Sequence, residues 1–172
     1  VEELITQQLS LQLLRQQQVQ RVAPHLPASQ TANALVTSLP FALTSAQQRV
    51  WQEIADDLKQ SQPMQRLVQG DVGSGKTIIA ALAALQAADA DYQVAIMAPT
   101  EILAEQHRNH FAEWLAPLKI EMAWLNGRLK AAEKRDMLAK IASGEAKIVV
   151  GTHALFQEAV EFNRLGLVII DE

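Results

Sequence analysis

Residues 70–77 have the sequence GDVGSGKT, which comprises Gly70, Asp71, Val72, Gly73, Ser74, Gly75, Lys76 and Thr77. It matches the phosphate-binding pattern G-x-x-x-x-G-K-[ST] at every fixed position. The glycines allow successive backbone N–H groups to point at phosphate oxygens, Lys76 can reach the outer phosphates, and Thr77 can place its hydroxyl on Mg²⁺. A Gly-rich turn that matches by chance is the alternative, but apolar residues precede the stretch and a helix-forming run follows it, as the motif requires.

The composition indicates a globular protein of about one domain, because 49 % of its 172 residues are apolar. No cysteine is present, so disulfides and thiolate metal sites are excluded and a reducing compartment fits. No apolar run is long enough to span a bilayer, and no signal peptide opens the chain. The net charge of −4 argues against a strongly basic nucleic-acid binder, although local patches can still hold phosphate. Because the chain starts at Val1 and stops at Glu172 directly after an apolar run, we expect a piece of a longer protein.

Strands and helices alternate beyond Pro63, which predicts a parallel sheet covered by helices on both faces. The predicted strands are residues 66–69, 93–98, 120–125, 147–151 and 167–171. The predicted helices are residues 76–88, 101–115 and 129–143, the last closed by Gly144.

The first sixty residues show a different pattern, with proline-rich connecting sequence between helices. A helix is predicted over residues 1–22, and a connector with a short helix at 31–39 follows it. Thr44 and Gln47 have the spacing of a capping box, which would open a helix that ends near Gln60.

A second nucleotide signal is the apolar run at residues 167–170, which ends in Asp171 and Glu172. Ligands of doubly wound sheets bind at the carboxyl ends of strands, where Asp171 would hold Mg²⁺ through water beside the loop. Glu172 can orient or deprotonate the attacking water. Two surface acids at a strand end are the alternative, and their occurrence together with the loop argues against it. The catalytic candidates are Lys76, Asp171 and Glu172, and the metal candidates are Thr77 and Asp171.

Residues 41–172 resemble the first motor domain of the superfamily-two helicases, and in particular bacterial helicases that regress stalled forks and migrate DNA branches. The resemblance rests on residues 64–77, on APTEILAEQH at 98–107 and on VGTHALFQ at 150–157. It implies an α/β, RecA-like P-loop NTPase domain: a parallel sheet with helices on both faces, preceded by an N-terminal linker helix. Residues 1–40 would be a linker helix and connector from a missing wedge domain, and residues 41–172 a motor domain truncated after the acidic pair.

The resemblance also implies the function of the whole protein. We expect an ATP-dependent helicase that uses Mg²⁺ and remodels branched double-stranded DNA, namely stalled forks and Holliday junctions. It would act in the bacterial cytoplasm and would not bind a membrane. A second motor domain would supply arginines to the γ-phosphate, so the present chain would be weakly active or inactive alone.

The resemblance places Phe41 and Gln47 where such helicases recognise adenine. An aromatic ring can stack on the base, and an amide has the donor and the acceptor that the adenine edge requires. The alternative is a hydrophobic residue that docks the connector and a glutamine that belongs to the capping box. Both interpretations stay open at this point.

Five further residues correspond to motifs that contact the DNA backbone in the family: Pro99, Thr100, Gly127, Gly151 and Thr152. Such contacts position a strand without reading its sequence. For Thr100 and Thr152 a plain helix cap is the alternative. Around Gly127 the hydroxyl residues of related proteins are absent, so that only a backbone contact is expected there.

The remaining polar and aromatic candidates are interpreted as structural. The four histidines are scattered, so no metal cluster is predicted, and His107 on the helix at 101–115 is interpreted as structural or surface. Trp51, Trp114 and Trp124 are interpreted as core residues. The basic helix at 129–143 is open between a solvated face and a DNA track.

Three alternatives to a fork-remodelling helicase remain. The nearest is the translocase that couples transcription to repair, which shares much of this pattern. A nucleotide-binding regulatory module without motor activity is another. A different P-loop enzyme, such as a transporter ATPase or a small-molecule kinase, is the third, and Pro-Thr-Glu at 99–101 and Gly-Thr-His at 151–153 argue against it.

Overall fold

A computed structural model of the chain describes residues 21–171. Residues 1–20 and Glu172 lie outside this part, and so does most of the helix predicted over residues 1–22. The described helices are α1 (Gln30–Ser38), α2 (Ser45–Leu58), α3 (Lys76–Asp89), α4 (Glu101–Leu115) and α5 (Ala131–Ser143). The strands are β1 (Gln93–Met97), β2 (Met122–Leu125), β3 (Ile148–Gly151) and β4 (Leu165–Ile170). Short 3₁₀ helices cover Ala116–Leu118 and His153–Phe156.

The strands form one sheet in the order β2-β3-β1-β4, and every neighbouring pair is parallel. Helix α5 connects the neighbours β2 and β3, which is the crossover that parallel neighbours require, and α4 connects β1 to β2, which lie on either side of β3. Because all strands run the same way, their carboxyl ends meet at one edge of the sheet. The predicted α/β fold with a parallel sheet is therefore confirmed.

Successive residues of the inner strands point to opposite faces of the sheet, and each face has its own core. On one face Val94 and Ile96 pack with α3 and with Phe111 of α4. On the other face Ala95 and Val149 pack with Ile141 of α5. Strands β1 and β3 are buried on both sides, which explains their continuous apolar runs.

Local signals set several helix ends as predicted. The Thr44 hydroxyl accepts from the backbone N–H of Gln47, and the Gln47 side chain accepts from the N–H of Thr44, so that the capping box is present. Gly144 closes α5 with a φ of 79°. The helix predicted at 101–115 has these bounds in the structure.

The stretch predicted as a connector packs against the domain through buried polar contacts. The Gln86 side chain of α3 is fully buried and donates to the carbonyls of Leu26 and Ala55 at 2.8 and 3.1 Å. The Ser29 hydroxyl caps α1 and donates to Asp89 at 2.6 Å. Buried hydrogen bonds of this kind fix the path of the chain, because leaving either partner unpaired would cost free energy.

The strand predicted over residues 66–69 is wrong, because the sheet within the described residues has four strands and Leu67 is exposed. Arg66 instead forms ion pairs with Glu53 and Asp57 of α2 at 2.7 and 2.6 Å. These contacts hold the segment along α2, and a cavity lies between it and β4. Strand β4 is therefore an edge strand in the described structure.

The three tryptophans are partly buried and pack against the core, as interpreted from the sequence. They are Trp51, Trp114 and Trp124. The guanidinium of Arg108 lies 5.1 Å from the ring centroid of Trp124, which accounts for the partly exposed face of that ring.

Candidate functional site

The loop at residues 70–75 ends in a left-handed turn that opens helix α3. Gly75 is the N-cap residue with a φ of 85°, a conformation that glycine adopts without strain. Within the described residues no side chain caps α3. The first backbone N–H groups of a helix lack intrahelical partners, and with a glycine cap they stay available to an anion.

Lys76 lies across the mouth of this loop. Its Nζ donates to the carbonyl oxygens of Gly70 and Asp71 at 2.7 and 2.9 Å. The ammonium group therefore already lies at the loop, as the motif predicts for this lysine. Exchanging two neutral carbonyls for phosphate oxygens would strengthen these contacts, because the ammonium would then face full negative charges instead of dipoles.

Gln47 connects α2 to the loop. Its Nε2 donates to the carbonyl of Ser74 at 2.8 Å, while its Oε1 serves the capping box. A Cβ at Gly75 would overlap the Gln47 amide. Phe41 is 50 % exposed, so its ring is accessible to a stacking partner. The capping-box interpretation of Gln47 is thus observed, and its amide also contacts the loop at Ser74.

Asp171 follows β4 at the carboxyl edge of the sheet. Its backbone N–H donates to the carbonyl of Met97 at 2.9 Å, which keeps it in register with β1. One cavity is lined by Lys76, Thr77 and Asp171, so the loop and the acid face the same space. Glu172 lies outside the described residues, and its role stays a prediction.

His107 is the functional neighbour that sequence reasoning missed. It is 8 % exposed, lines the same cavity, and its Nε2 lies 2.6 Å from Oδ2 of Asp171. The signal was present, because Ala104, His107, Phe111 and Leu115 have the spacing of one buried helix face. The contact with Asp171 itself joins residues far apart in the chain and leaves no local pattern.

Thr100 caps helix α4 at the same edge of the sheet. Its Oγ1 accepts from the N–H of Leu103 at 3.3 Å, so the plain-cap interpretation is observed. Thr100, Asn126 and Arg128 line one exposed cavity, and Arg128 forms an ion pair with Glu101 at 2.7 Å. Pro99 and Thr100 are both exposed. The sequence-predicted residues after β1 and β2 are therefore neighbours on one face.

Gly151 ends β3 and is buried. A Cβ there would overlap the backbone carbonyl of Leu125 on the neighbouring strand, so close packing alone requires a glycine. Thr152 follows it and makes no side-chain cap within the described residues. A Cβ at Gly127 would come no closer than 3.8 Å to Glu101, so that glycine has open space around it.

The described residues fit a magnesium–nucleotide complex by the chemistry of their donors. A hydroxyl on Thr77 and a carboxylate on Asp171 are the oxygen ligands that Mg²⁺ prefers, and they line one cavity with the ammonium of Lys76. Between residues 21 and 171 no group of three or more His, Cys, Asp or Glu side chains could bind a metal by itself. Mg²⁺ usually binds through one or two protein oxygen ligands together with substrate phosphates, and the lining of this cavity by Thr77 and Asp171 fits that arrangement. In the same part of the chain no helix has the length and hydropathy needed to cross a membrane.

The chain matches the family of DEAD/DEAH box helicases over residues 44–172. It is 53 % identical to the ATP-dependent DNA helicase RecG of Escherichia coli strain K12, over all of this chain and 25 % of that protein. It is also 53 % identical to RecG of Streptococcus pneumoniae serotype 4, over 99 % of this chain and 26 % of that protein. The chain thus spans about a quarter of the length of these curated relatives.

Solved structures resemble the chain in the same way. A structure of RecG bound to a three-way DNA junction matches 99 % of this chain and 24 % of its own, with a TM-score of 0.90 and 44 % identity. The helicase MrfA bound to DNA matches 79 % of this chain with a TM-score of 0.58. At 18 % identity the second likeness concerns the fold alone.

Proposed function

The chain belongs to the DEAD/DEAH box helicase family, and on that premise we propose that it is the nucleotide-binding motor domain of an ATP-dependent DNA helicase. The substrates we propose are stalled replication forks and Holliday junctions, and the processes are DNA recombination and repair. The identity to RecG and the likeness to a RecG–junction structure support this choice. We place the activity in the bacterial cytoplasm, which the bacterial relatives support.

The observation that carries the proposal is the shared cavity of Lys76, Thr77 and Asp171. Backbone N–H groups of residues 70–77 would bind phosphate oxygens, and Nζ of Lys76 would move from the carbonyls of Gly70 and Asp71 to the outer phosphates. Bound Mg²⁺ would neutralise charge that develops on the phosphates. Thr77 would hold the ion directly and Asp171 through water, while Glu172 would orient or deprotonate the attacking water.

Recognition of the base would involve residues that precede the loop. We propose that Phe41 stacks on adenine and that Gln47 contacts its edge. The exposure of Phe41 supports the first role. For the second role, the Gln47 amide has one N–H and one oxygen lone pair beyond those it uses with Ser74 and Thr44.

DNA would lie across the other half of the same sheet edge. We propose that Pro99, Thr100, Gly127, Gly151 and Thr152 contact its phosphate backbone. Contacts of this kind hold a strand without reading bases, which suits an enzyme that acts on branched structures rather than on sequences. The common cavity of Thr100, Asn126 and Arg128 supports a continuous surface there.

The chain alone would hydrolyse ATP slowly. We propose that a second motor domain of the same protein supplies arginines to the γ-phosphate, and that a wedge domain splits the branch point. Loss of an arginine finger costs about 10³–10⁵-fold in turnover in P-loop enzymes. Closure of the two motor domains on ATP would then drive stepping along DNA.

The test is the Lys76→Ala variant. Because hydrogen bonds to charged groups contribute about 1.5–3 kcal/mol, we expect the affinity of this chain for Mg·ADP to fall by about 10–100-fold in calorimetry. In the full-length gene product, three-way junction DNA should stimulate ATP hydrolysis, and Lys76→Ala should abolish the stimulation.

The matched control is Lys59→Ala, which removes a lysine from a surface ion pair with Asp56 and should change neither measurement. Nucleotide binding without any stimulation by DNA would favour a regulatory module over a motor. No heat on titration of the wild-type chain with Mg·ADP would contradict the nucleotide site itself.

A further inference from the structure

His107 makes a contact that the packing of helix α4 does not require. Its side chain is 10 % exposed on the buried face of α4, and Nε2–H donates to Oδ2 of Asp171 over 2.6 Å. The bond can form in either protonation state of the ring, since Nε2 can carry the hydrogen in both. It joins a helix that follows β1 to the residue that follows β4.

The other ring nitrogen shows that burial alone does not account for a histidine here. Nδ1 is buried and has no hydrogen-bond partner among the described residues. An unpaired buried nitrogen carries a desolvation cost, which an apolar side chain of similar size would avoid. A leucine or phenylalanine would therefore pack more favourably at position 107, and the bond to Asp171 is what the histidine adds.

Asp171 is a side chain that benefits from such support. Its backbone is fixed by the bond to Met97, but its side chain is 35 % exposed and could otherwise rotate. With Oδ2 bound to His107, Oδ1 is the oxygen left for a ligand in the cavity shared with Lys76 and Thr77. Mutation of a partner that orients a metal-binding side chain in this way typically costs about 10–100-fold in metal affinity or activity.

We infer that His107 is a positioning residue that holds the Asp171 carboxylate in the orientation needed for magnesium. This inference rests on the proposed role of Asp171, which is to hold Mg²⁺ through water. It assigns to α4 a direct part in the nucleotide site, in addition to the DNA contact proposed for its first turn. His107 does not touch the reacting atoms and acts through Asp171.

The experiment separates magnesium-dependent from magnesium-independent nucleotide binding. A fluorescent ADP analogue is titrated into this chain with excess Mg²⁺ and again with EDTA. Because supporting partners of metal ligands contribute about 10–100-fold in affinity, and Asp171 acts through water, we expect His107→Ala to lose about tenfold with Mg²⁺. Binding in EDTA should stay within about twofold of wild type, since the loop contacts are unchanged.

Two further variants make the result specific. His107→Gln keeps an N–H donor within reach of Asp171 and should recover most of the loss. His110→Ala is the matched control, because His110 lies on the same helix, is exposed and stacks on Trp114 at 5.7 Å instead. It should behave as wild type in both titrations.

A double-mutant cycle completes the test. In an Asp171→Ala background, His107→Ala should cause no additional loss with Mg²⁺, because the two residues act as a unit. Equal losses with Mg²⁺ and EDTA, or full additivity with Asp171→Ala, would overturn the inference. The same holds if both His107 variants keep the wild-type magnesium dependence. Failure of the wild-type chain to bind the nucleotide at all would instead contradict the proposed function.

Discussion

Helices α3 and α4 begin at the same edge of the sheet but differ in what caps them. Helix α3 starts at Gly75, which has no side chain to offer, and α4 starts at Thr100, whose hydroxyl binds the N–H of Leu103. The glycine leaves the first N–H groups of α3 free for a ligand, while the threonine uses one of them internally. The first turn of α3 is therefore suited to bind an anion through several backbone N–H groups, and the first turn of α4 has fewer of them to offer.

The two helices also meet at Asp171. Lys76 and Thr77 of α3 line the cavity that Asp171 faces, and His107 of α4 binds its carboxylate. Helix α3 thus provides groups that would contact the nucleotide directly, and α4 provides a side chain that binds Asp171. Two helices that begin at the same edge of one sheet can therefore contribute to one site in different ways.

Among substitutions at these helix starts, Gly75→Ala is expected to change stability and nucleotide affinity the most. A left-handed conformation costs a residue with a Cβ about 1–2 kcal/mol, and the new Cβ would also displace Gln47. We expect the free energy of unfolding to fall by about 2 kcal/mol and Mg·ADP affinity to fall at least about tenfold, since the amides of the loop would shift. Urea denaturation and calorimetry measure the two quantities.

Gly144→Ala is the matched control for Gly75. Gly144 also has a positive φ, of 79°, but it closes α5 and lies outside the described nucleotide site. The substitution should lower stability by a similar amount and leave nucleotide affinity unchanged. Equal losses of affinity in the two variants would mean that Gly75 acts only through stability.

The next effect distinguishes the two glycines assigned to DNA. In Gly151→Ala the new Cβ would press on the carbonyl of Leu125, and overpacking of a buried strand costs about 1.5 kcal/mol. Gly127→Ala meets open space and should be neutral in thermal unfolding. A stable Gly151→Ala variant that loses only DNA affinity would show that the glycine is kept for the DNA and not for the sheet.

A smaller effect tests the cap of α4. Thr100→Ala removes the bond to Leu103, and loss of an N-cap costs about 1 kcal/mol in unfolding experiments. Thr100→Ser keeps the hydroxyl and should retain stability. Thr152→Ala should cost less than Thr100→Ala, because Thr152 makes no side-chain cap within the described residues. Equal costs at both positions would contradict the assignment of Thr100 as a cap.

The smallest effect is expected at Asp91, which precedes β1 and so lies at the amino ends of the strands. It serves as a reference for the site at their carboxyl ends. A hydrogen bond from Lys147, at 2.5 Å, lowers the pKa of Asp91 below 3.8, and Arg164 adds to this. The folded state therefore binds this proton less readily than the unfolded state does. Asp91 thus contributes stability above pH 3.8, and the contribution is lost as the pH falls through the lowered pKa.

Asp91→Asn should reduce the acid dependence of stability in urea titrations below pH 4. Asparagine tolerates the positive φ of 63° at this position, so the substitution changes charge and not backbone strain. Nucleotide affinity should not change, because Asp91 lies at the amino end of β1 and the loop at residues 70–75 lies at the carboxyl ends of the strands. An unchanged acid limb would mean that the ion pairs with Lys147 and Arg164 add nothing in solution.

The parts predicted well from the sequence depend on neighbours in the chain. The Thr44–Gln47 capping box, the bounds of α4 and the closure of α5 by Gly144 are all set within one turn of helix. The parallel sheet followed from the alternation of strands and helices. The strand at residues 66–69 was predicted from an apolar pair of residues. That local pattern says nothing about Glu53 and Asp57, which bind Arg66 and hold the segment against α2.

By itself, the sequence determined the loop at residues 70–77, the class of fold and the family, because backbone freedom, capping and side-chain charge are local properties of these residues. Only the tertiary structure decided that Asp171 is bound by His107, that Gln47 reaches Ser74, and that Gly151 is needed for contact with β2. These contacts join residues from different elements, and their free energy depends on distances that the folded sheet alone establishes.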